Sequence, residues 1–385
     1  MAAIKHDESP YIEPIRGKKG ARIIGPSNPQ REAESRDRVL PPPTDHGSLP
    51  NLKWSFCDSH NRVLEGGWAR QTTVQEIPTA TTLAGVNMRL TAGGIREMHW
   101  HKENEWAFML KGSARVTSVD QNLCTYQDEV SEGEGWFFPS GIPHSIQGLG
   151  PDGCEFLLVF DDGHFDENET FLLCDWLSRT PKEILAKNFN VPVSAFANIP
   201  KEERYIFQGK IPGPLAKDKV KGLGPVPLTF THRLIQMDPL SMKYGTARIL
   251  DATNFPISKT IAAALVEVEP GGLRELHWHP NADEWQYYIS GEARMTVFAS
   301  SGRAQTFDFQ AGDVGSIPKS MPHYVENTGS TTLRFLEMFR SPKFEDVPLA
   351  QWLKFTPHEL VKAHLNIDEA VLAKVPNHKM PIVGP

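Results

Sequence analysis

The sequence predicts an all-β protein made of two similar sandwich or barrel domains, each followed by a short helical segment. From about residue 54 the chain consists of short apolar alternations separated by Gly, Pro and Asn, for example TLAGVNMRL at 82–90 and GSARVTSV at 112–119. Strands with this spacing are typical of β-sandwiches and barrels. The same block then occurs a second time, which indicates an internal duplication.

The duplication shows as a nearly constant spacing between matching motifs. His99-Trp-His recurs at His277 (277 − 99 = 178), and Gly112-Ser-Ala-Arg recurs at Gly291 (291 − 112 = 179). The one extra residue lies between the second histidine and the following glutamate, where a loop can absorb it. We therefore predict an arm at 1–53, a first domain at 54–225 and a second at 226–385.

A Thr-Pro-x-Glu motif follows each copy, at 180–183 and 356–359. It predicts a helix that opens with a capping box and has proline at its first position. Residues 1–53 are polar and proline-rich, and two interpretations stay open for them. They form either a disordered tail or an arm that packs along the other domain or a neighbouring subunit.

Composition narrows the class of protein. The 385 residues carry a net charge of −7 with no cluster of Lys or Arg, which argues against a nucleic-acid partner. The start has no apolar segment typical of a signal peptide, and no stretch resembles a membrane span, so we expect a cytoplasmic protein. The four widely spaced cysteines are interpreted as free thiols, with a single disulfide as the alternative.

Each copy carries the same set of three histidines and one glutamate. Because alternate side chains of a strand share a face, His99 and His101 point the same way and Trp100 points the opposite way. Such a donor set suits a divalent transition metal, and manganese, iron, cobalt, nickel or zinc would each be accepted. The sequence therefore predicts two metal sites, with the ligands His99, His101, Glu105 and His144 in the first copy and His277, His279, Glu284 and His323 in the second.

An arginine precedes each His-x-His motif by three residues, at Arg96 and Arg274. Burying a cation on a strand that faces a barrel interior is costly unless an anion pairs with it. The guanidinium group matches a carboxylate geometrically. We expect both arginines to bind substrate. The alternative is a local ion pair with Glu97 or Glu275.

The copies differ after the barrel. Trp176-Leu matches Trp352-Leu at an offset of only 176 (352 − 176), so the first copy has three extra residues, which fall in 165–170. An insertion in one of two parallel copies indicates a function that the other copy lacks.

These motifs resemble a known family. The pattern Gly-x(4)-His-Trp-His-x(3,4)-Glu, followed by Gly-x(5)-Pro-x(4)-His, is similar to the paired motif of the cupin superfamily. It runs from Gly94 to His144 and again from Gly272 to His323. Segments such as FFPSGIPHSI at 137–146 and EWQYYISG at 284–291 resemble the bicupin oxalate decarboxylases more specifically, and the resemblance covers nearly the whole chain.

The resemblance implies two jelly-roll barrels with manganese in each, dioxygen as co-catalyst and a homo-oligomer, usually a hexamer. It implies that oxalate is converted to formate and carbon dioxide. The family's active-site lid has a catalytic glutamate in Ser-Glu-Asn-Ser-Thr, where this chain has Asp166-Glu-Asn-Glu-Thr170. Glu167 and Thr170 are thus retained, as acid/base and substrate-binding residue, while two serines are replaced by acids.

Our hypothesis is that Glu167 accepts the proton of hydrogen oxalate and later returns one to carbon, with Arg96 polarising the substrate. The alternative is that 166–170 is an ordinary acidic loop. The resemblance also places Glu337, with Arg274 and a tyrosine such as Tyr205, around the second metal. The insertion favours the first site for catalysis.

Two rival functions stay open from the sequence. A bicupin oxalate oxidase would make hydrogen peroxide, and Glu167 argues against it. The other rival is a non-catalytic storage or sensor bicupin; storage barrels characteristically lose metal ligands, whereas this chain keeps all eight. Trp100 and Trp278 are expected to pack under another element outside the barrel, or alternatively to provide an electron path between metals.

Overall fold

The structure is a computed structural model that describes residues 12–385. The described part of the N-terminal arm contains three short strands and two helices: β1 (Ile15–Arg16), β2 (Lys19–Gly20), α1 (Pro29–Glu34), α2 (Arg36–Val39) and β3 (Lys53–Ser55). Its last part packs on the second domain, because His46 forms a bridge with Ala304 and the Asp45 carboxylate accepts hydrogen bonds from Thr306. Residues 45–55 therefore form an arm that packs along the other domain, which is one of the two interpretations left open by the sequence.

The first barrel is built entirely from antiparallel pairs. Its strands and the short strands that extend its sheets are β4 (Arg62–Leu64), β5 (Gly67–Thr72), β6 (Ala84–Leu90), β7 (Gly94–Trp100), β8 (Glu105–Val119), β9 (Thr125–Ser131), β10 (Gly135–Phe138), β11 (His144–Gly148), β12 (Cys154–Phe160), β13 (Phe171–Leu172), β14 (Ile206–Gln208) and β15 (Thr231–His232). The long strand β8 belongs to both sheets, since its first half pairs with β12 and its second half with β9 and β11. It bends at Gly112, whose φ of +74° is a conformation that glycine adopts freely.

The second barrel repeats this plan in two separate sheets. Its strands are β16 (Leu240–Met242), β17 (Gly245–Leu250), β18 (Ala262–Val268), β19 (Leu273–Trp278), β20 (Glu284–Ser290), β21 (Glu292–Ala299), β22 (Arg303–Gln310), β23 (Asp313–Ile317), β24 (His323–Asn327), β25 (Leu333–Phe339), β26 (Val347–Pro348) and β27 (Ile382–Val383). One sheet has the order β16-β17-β18-β25-β20-β23-β3 and the other β22-β21-β24-β19-β26, with β27 also on β19. The predicted all-β class with two barrels is confirmed.

Strand pairing crosses both predicted domain boundaries. Strand β3 of the arm pairs with β23 of the second barrel, and β15 pairs with β10 of the first barrel. The limits 54–225 and 226–385 therefore stay a proposal. In each barrel, a short strand from outside that barrel's limits pairs with the edge of the sheet.

Helical segments follow each barrel, as the sequence predicts. They are α3 (Leu173–Ser178), α4 (Lys182–Phe189) and α5 (Leu215–Asp218) after the first barrel, and α6 (Leu349–Lys354), α7 (His358–Leu365) and α8 (Glu369–Ala373) after the second. The predicted capping boxes are wrong, because the Thr180 and Thr356 hydroxyls donate to the carbonyls of Trp176 and Trp352 instead. Each threonine lies two positions after the last residue of the preceding helix, so the carbonyl four residues back is the nearer partner.

Alternation along the strands fills three cores. In β12, Phe156 and Leu158 point into the first barrel, while Leu157 and Val159 pack between the barrels against residues such as Trp285. Burial of both faces explains why this strand is apolar from Phe156 to Phe160. A third cluster fills the second barrel. Within residues 12–385, none of the helices has the length and apolarity needed to cross a bilayer.

Candidate metal centres and lid

The structure brings each predicted set of four ligands together inside its barrel. In the first barrel, His99 lies on β7 opposite His144 at the start of β11, and Glu105 begins β8. In the second, His277 on β19 pairs in the same way with His323 on β24. The possible ligand atoms of each set lie within 4.8 Å of one another, and all eight residues are buried.

Backbone carbonyls fix the orientation of all six imidazoles. The Nδ1 atom of His99 lies 2.6 Å from the Glu97 carbonyl oxygen, and that of His277 lies 2.6 Å from the Glu275 carbonyl. Because a carbonyl can only accept, each Nδ1 carries the proton and each Nε2 presents a lone pair. The remaining Nδ1–carbonyl pairs are His101 with Glu103, His144 with Ile142, His279 with Glu345 and His323 with Met321.

The glutamates are oriented by different partners in the two barrels. Trp136 Nε1 donates to Glu105 Oε1 at 2.7 Å, and Gln286 Nε2 donates to Glu284 Oε1 at 2.7 Å. In both cases Oε2 is left to face the histidines, at 3.0 Å from His101 Nε2 and 2.7 Å from His323 Nε2. Neither orienting residue was predicted from the sequence, although Gln286 lies two positions after Glu284 and so on the same strand face.

A cation fits these sites on chemical grounds. The Nε2 atoms of His277 and His279 are 3.1 Å apart, so two lone pairs face each other. Among the residues that the structure describes, His144 Nε2, His323 Nε2 and Glu284 Oε2 are buried without a hydrogen-bond partner. Burial and the nearby arginines hold the pKa of His99 and of His277 well below the usual range, which keeps these imidazoles neutral as metal binding requires.

The arginine and glutamate predicted for catalysis meet beside the first set of ligands. Arg96 Nη2 lies 2.8 Å from Glu167 Oε1, and both side chains are buried. Arg96 also donates from Nη1 to the Tyr205 carbonyl at 3.4 Å, and its guanidinium lies over the Tyr205 ring at 4.2 Å. Burial and the adjacent Glu167 carboxylate raise the pKa of Tyr205 well above its usual value, so this phenol stays protonated. Tyr205 therefore belongs to the first site, and its expected placement around the second metal is wrong.

The lid holds Glu167 in this inward position through its backbone. Residues Glu167–Glu169 form a 3₁₀ turn in which the Asp166 carboxylate accepts from Asn168 N at 2.9 Å. Gln71 Oε1 accepts from Glu167 N at 3.0 Å, and the Thr170 hydroxyl donates to the Glu167 carbonyl at 2.9 Å. The aspartate that replaces the family's serine is thus an N-cap, a role in which Asp and Ser are comparable.

Glu97 has a role other than the local ion pair considered from the sequence. Its carboxylate accepts three backbone N–H groups, from Cys174 at 2.7 Å, Arg204 at 2.7 Å and Tyr205 at 2.9 Å. It therefore ties β7 to the segment after the lid and to the segment that positions Tyr205. Arg96 is left free to face Glu167.

The second site differs from the first around its arginine. Arg274 Nε donates to Glu337 Oε1 at 3.1 Å, and its Nη2 donates to Asp346 Oδ2 at 2.8 Å. Lys379 Nζ contacts the other Asp346 carboxylate oxygen at 2.5 Å. Arg274 does pair with carboxylates, but with Glu337 and Asp346 rather than with Glu275. Asp346 was not predicted from the sequence, because it lies 72 residues from Arg274.

Comparison with known proteins agrees with this architecture. The cupin family model matches twice, at residues 57–195 and 234–372. Oxalate decarboxylase OxdC of Bacillus subtilis is 54% identical over 372 residues, which span 96% of each chain. A probable oxalate decarboxylase of Arthroderma benhamiae is 41% identical, over 95% of this chain and 91% of that one. The chain belongs to the oxalate decarboxylases of the cupin family.

Solved structures of this family superpose on nearly the whole chain. A structure of Bacillus subtilis oxalate decarboxylase at pH 4.6 aligns with a TM-score of 0.96 and 53% identity, and covers 98% of this chain and 99% of that one. A second, from work on the Mn(II) centres of that enzyme, aligns with a TM-score of 0.95, 54% identity and coverage of 97% and 99%.

The tryptophans between the histidines lie outside the barrels, as alternation predicts. Trp100 stacks on Phe171 with ring centroids 5.5 Å apart and meets Trp176 edge-on at 5.5 Å. Trp278 meets Trp352 edge-on at 5.5 Å. Both pack under the helical segment that follows their barrel, which agrees with the packing interpretation. An electron path stays a prediction.

Proposed function

We propose that the chain converts hydrogen oxalate to formate and carbon dioxide, with manganese in both sets of ligands and the chemistry in the first. The observation that carries the proposal is the buried Arg96–Glu167 pair beside the first His₃Glu set, in a chain that is 54% identical to an oxalate decarboxylase. The reaction balances as HC₂O₄⁻ → HCO₂⁻ + CO₂. One proton moves from oxygen to carbon and there is no net oxidation.

Both sets of ligands suit manganese, which relatives of this chain contain. Three imidazoles and one carboxylate occupy four positions of an octahedral ion and leave two for small ligands. When bound, manganese supplies open positions for oxalate and a one-electron redox change that eases cleavage of the carbon–carbon bond. Substrate binding and proton transfer must come from the side chains around the metal.

Arg96 is the residue that binds and polarises the substrate carboxylate. Its Nε atom has no hydrogen-bond partner among the residues described, and its Nη2 atom faces only the Glu167 carboxylate at 2.8 Å, so this edge of the guanidinium is directed at the lid and at an incoming anion. Guanidinium presents such donors as a fork that fits a carboxylate. Thr170 lies at the end of the lid and is proposed to help position the substrate.

Glu167 is the acid/base. With Oε1 at 2.8 Å from Arg96 Nη2, its carboxylate is close enough to Arg96 to exchange a proton with a substrate that Arg96 binds. It accepts that proton, carbon dioxide leaves, and Glu167 then delivers a proton to the carbon that remains, which gives formate. Phe160 and Phe165 stack beside His101 with ring centroids 3.6 Å apart, an apolar wall that limits access of competing water.

Dioxygen is proposed as a co-catalyst that is not consumed. The net reaction is redox-neutral, whereas an oxalate oxidase would reduce one dioxygen to peroxide for every oxalate. The Glu167–Arg96 geometry favours the decarboxylase, because a proton delivered to carbon ends the reaction at formate. The storage or sensor alternative has no supporting observation in the structure.

Glu337 and Arg274 are proposed to support the second metal site. Glu337 accepts from Arg274 and is buried, and burial raises its pKa despite the opposing effect of Arg274. A catalytic role for Glu337 and a substrate-binding role for Arg274, both expected from the sequence, are not tested by these contacts, and the pairing of Arg274 with Glu337 and Asp346 argues against the second role.

The experiment measures products. The protein is loaded with manganese and given oxalate in air at mildly acidic pH, and formate and hydrogen peroxide are both quantified. The proposal expects one formate per oxalate with traces of peroxide. Peroxide as the main product would instead establish an oxidase, and no loss of oxalate would refute both enzymes.

We further propose a homo-hexamer in the cytoplasm. Exposed apolar side chains on the helical segments, including Trp176, Phe189, Trp352 and Phe355, support a subunit interface. All four cysteines are free thiols, which supports a reducing compartment. Light scattering coupled to size exclusion tests the first proposal, since a monomer or dimer would contradict it. Fractionation of the source cells tests the second.

A further inference from the structure

The same backbone position carries different residues beside the two metal sites. Strand β13 pairs with β7 so that Phe171 faces Trp100, and β26 pairs with β19 so that Val347 faces Trp278. Trp100 and Trp278 are the matching residues of the two copies. The residue just before each short strand, Thr170 in the first copy and Asp346 in the second, is therefore structurally equivalent.

This difference decides what surrounds each arginine. Thr170 is uncharged, and its hydroxyl donates to the lid backbone. It therefore does not pair with Arg96, which can interact with Glu167 and with a bound ligand. Asp346 instead reaches Arg274, with Oδ2 at 2.8 Å from Nη2, while Glu337 takes Nε. Only Nη1 of Arg274 is without a partner among the residues described. One guanidinium thus already faces two carboxylates.

Asp346 is also held firmly in place. It is 8% exposed, and Lys379 Nζ contacts its carboxylate and donates to its backbone carbonyl at 2.7 Å. The pairing of Val347 with Trp278 fixes the strand that follows. An incoming dicarboxylate would have to displace a buried carboxylate that is anchored on both sides, and would bring further negative charge to Glu337.

We propose that Asp346 is a built-in carboxylate that occupies the anion position of Arg274, so that the second site holds its metal but excludes oxalate. Asp346 is then the residue that determines which of two similar metal sites accepts substrate. The inference rests on the proposed function, because it names oxalate as the excluded ligand.

The test counts oxalate bound per chain. Manganese-loaded protein is dialysed to equilibrium against radiolabelled oxalate in dioxygen-free buffer, and formate is assayed to verify that the oxalate is intact. Manganese content and the thermal unfolding transition are measured for every variant. The wild-type chain should bind one oxalate, whereas Asp346→Asn and Asp346→Thr should each bind two, with affinity at the second site raised at least about tenfold.

Three further variants locate the bound oxalate and control for the loss of a negative charge. Arg96→Lys should bind none, and Arg96→Lys combined with Asp346→Asn should regain one oxalate, which must then lie in the second barrel. Asp308→Asn removes a carboxylate that pairs with Arg294 at 2.7 and 2.9 Å away from both sites, and should leave the count at one.

The possible failures are distinguishable. Two oxalates bound by the wild-type chain would overturn the inference whatever the variants do. A count of one in both Asp346 variants, with two manganese ions retained, would overturn it as well. No oxalate bound by the wild-type chain would refute the proposed function itself.

Discussion

Replacing Glu167 with glutamine tests the assignment of the acid/base with the smallest change in shape. Glutamine keeps the size of the side chain but can neither accept nor return a proton at the pH of the reaction. The carboxylate lies 2.8 Å from Arg96 in a buried site, so the substitution also removes one half of an ion pair. The two effects act on different kinetic constants.

The expected loss in kcat is that of a positioned general acid/base, about 10²- to 10⁴-fold, or ~3–5 kcal/mol in the activation free energy. The affinity for oxalate, in contrast, should not be weakened by the substitution. At 2.8 Å and an effective dielectric constant near 20, the gross attraction between Arg96 and Glu167 is ~6 kcal/mol before desolvation. Without that competitor Arg96 is freer to bind oxalate, so KM should stay constant or fall.

Initial rates of formate and peroxide formation at saturating oxalate measure both effects. Glu169→Gln is the matched control, because it makes the same chemical change in the same turn at an exposed position. It should retain the wild-type rate. Peroxide should be a larger share of the remaining product in Glu167→Gln. Formate production at the full rate by Glu167→Gln, or an equal loss in Glu169→Gln, would refute the assignment.

Three further predictions address the arginine, the metal and acid stability. Arg96→Lys should lower kcat/KM by about 10²-fold in a steady-state formate assay, because an ammonium group cannot form the two-pronged contact; an unchanged value would contradict a substrate contact. His144→Ala should reduce manganese from two ions per chain to one by atomic emission, and a retained second ion would show that the other three ligands suffice. Burial lowers the pKa of His232 from 6.5 to about 3, so the unfolded chain binds more protons between these values and up to ~5 kcal/mol of stability is lost as pH falls through that window. The melting temperature of His232→Phe should therefore fall less between pH 7 and 4 than that of the wild-type chain. An equal fall would show that His232 does not contribute to the loss of stability in acid.

Much of the fold and both sets of metal ligands could be predicted because their signals are local or periodic. His99 and His101 share a face by strand alternation, and the duplication makes each motif confirm the other. The lid stood out as a three-residue surplus in one copy. These features need no knowledge of which strands pair.

The features that the sequence did not reveal depend on pairing between distant segments. Asp346 reaches Arg274 only because β26 lies beside β19, and Tyr205 joins the first site because β14 pairs with β7. Glu97 could not be distinguished from an ion-pair partner of Arg96, since its three N–H donors come from residues 77 to 108 positions away. The capping boxes were wrong for a local reason, because the threonine hydroxyls had nearer carbonyl acceptors.

The most direct test of the central claim follows dioxygen and formate together. Manganese-loaded protein is given oxalate in a closed, air-saturated cell, where an electrode records dioxygen and samples are assayed for formate. A redox-neutral decarboxylase should convert each oxalate to one formate while dioxygen stays nearly constant. Loss of one dioxygen per oxalate, with little formate, would contradict the account and show that Glu167 does not deliver its proton to carbon.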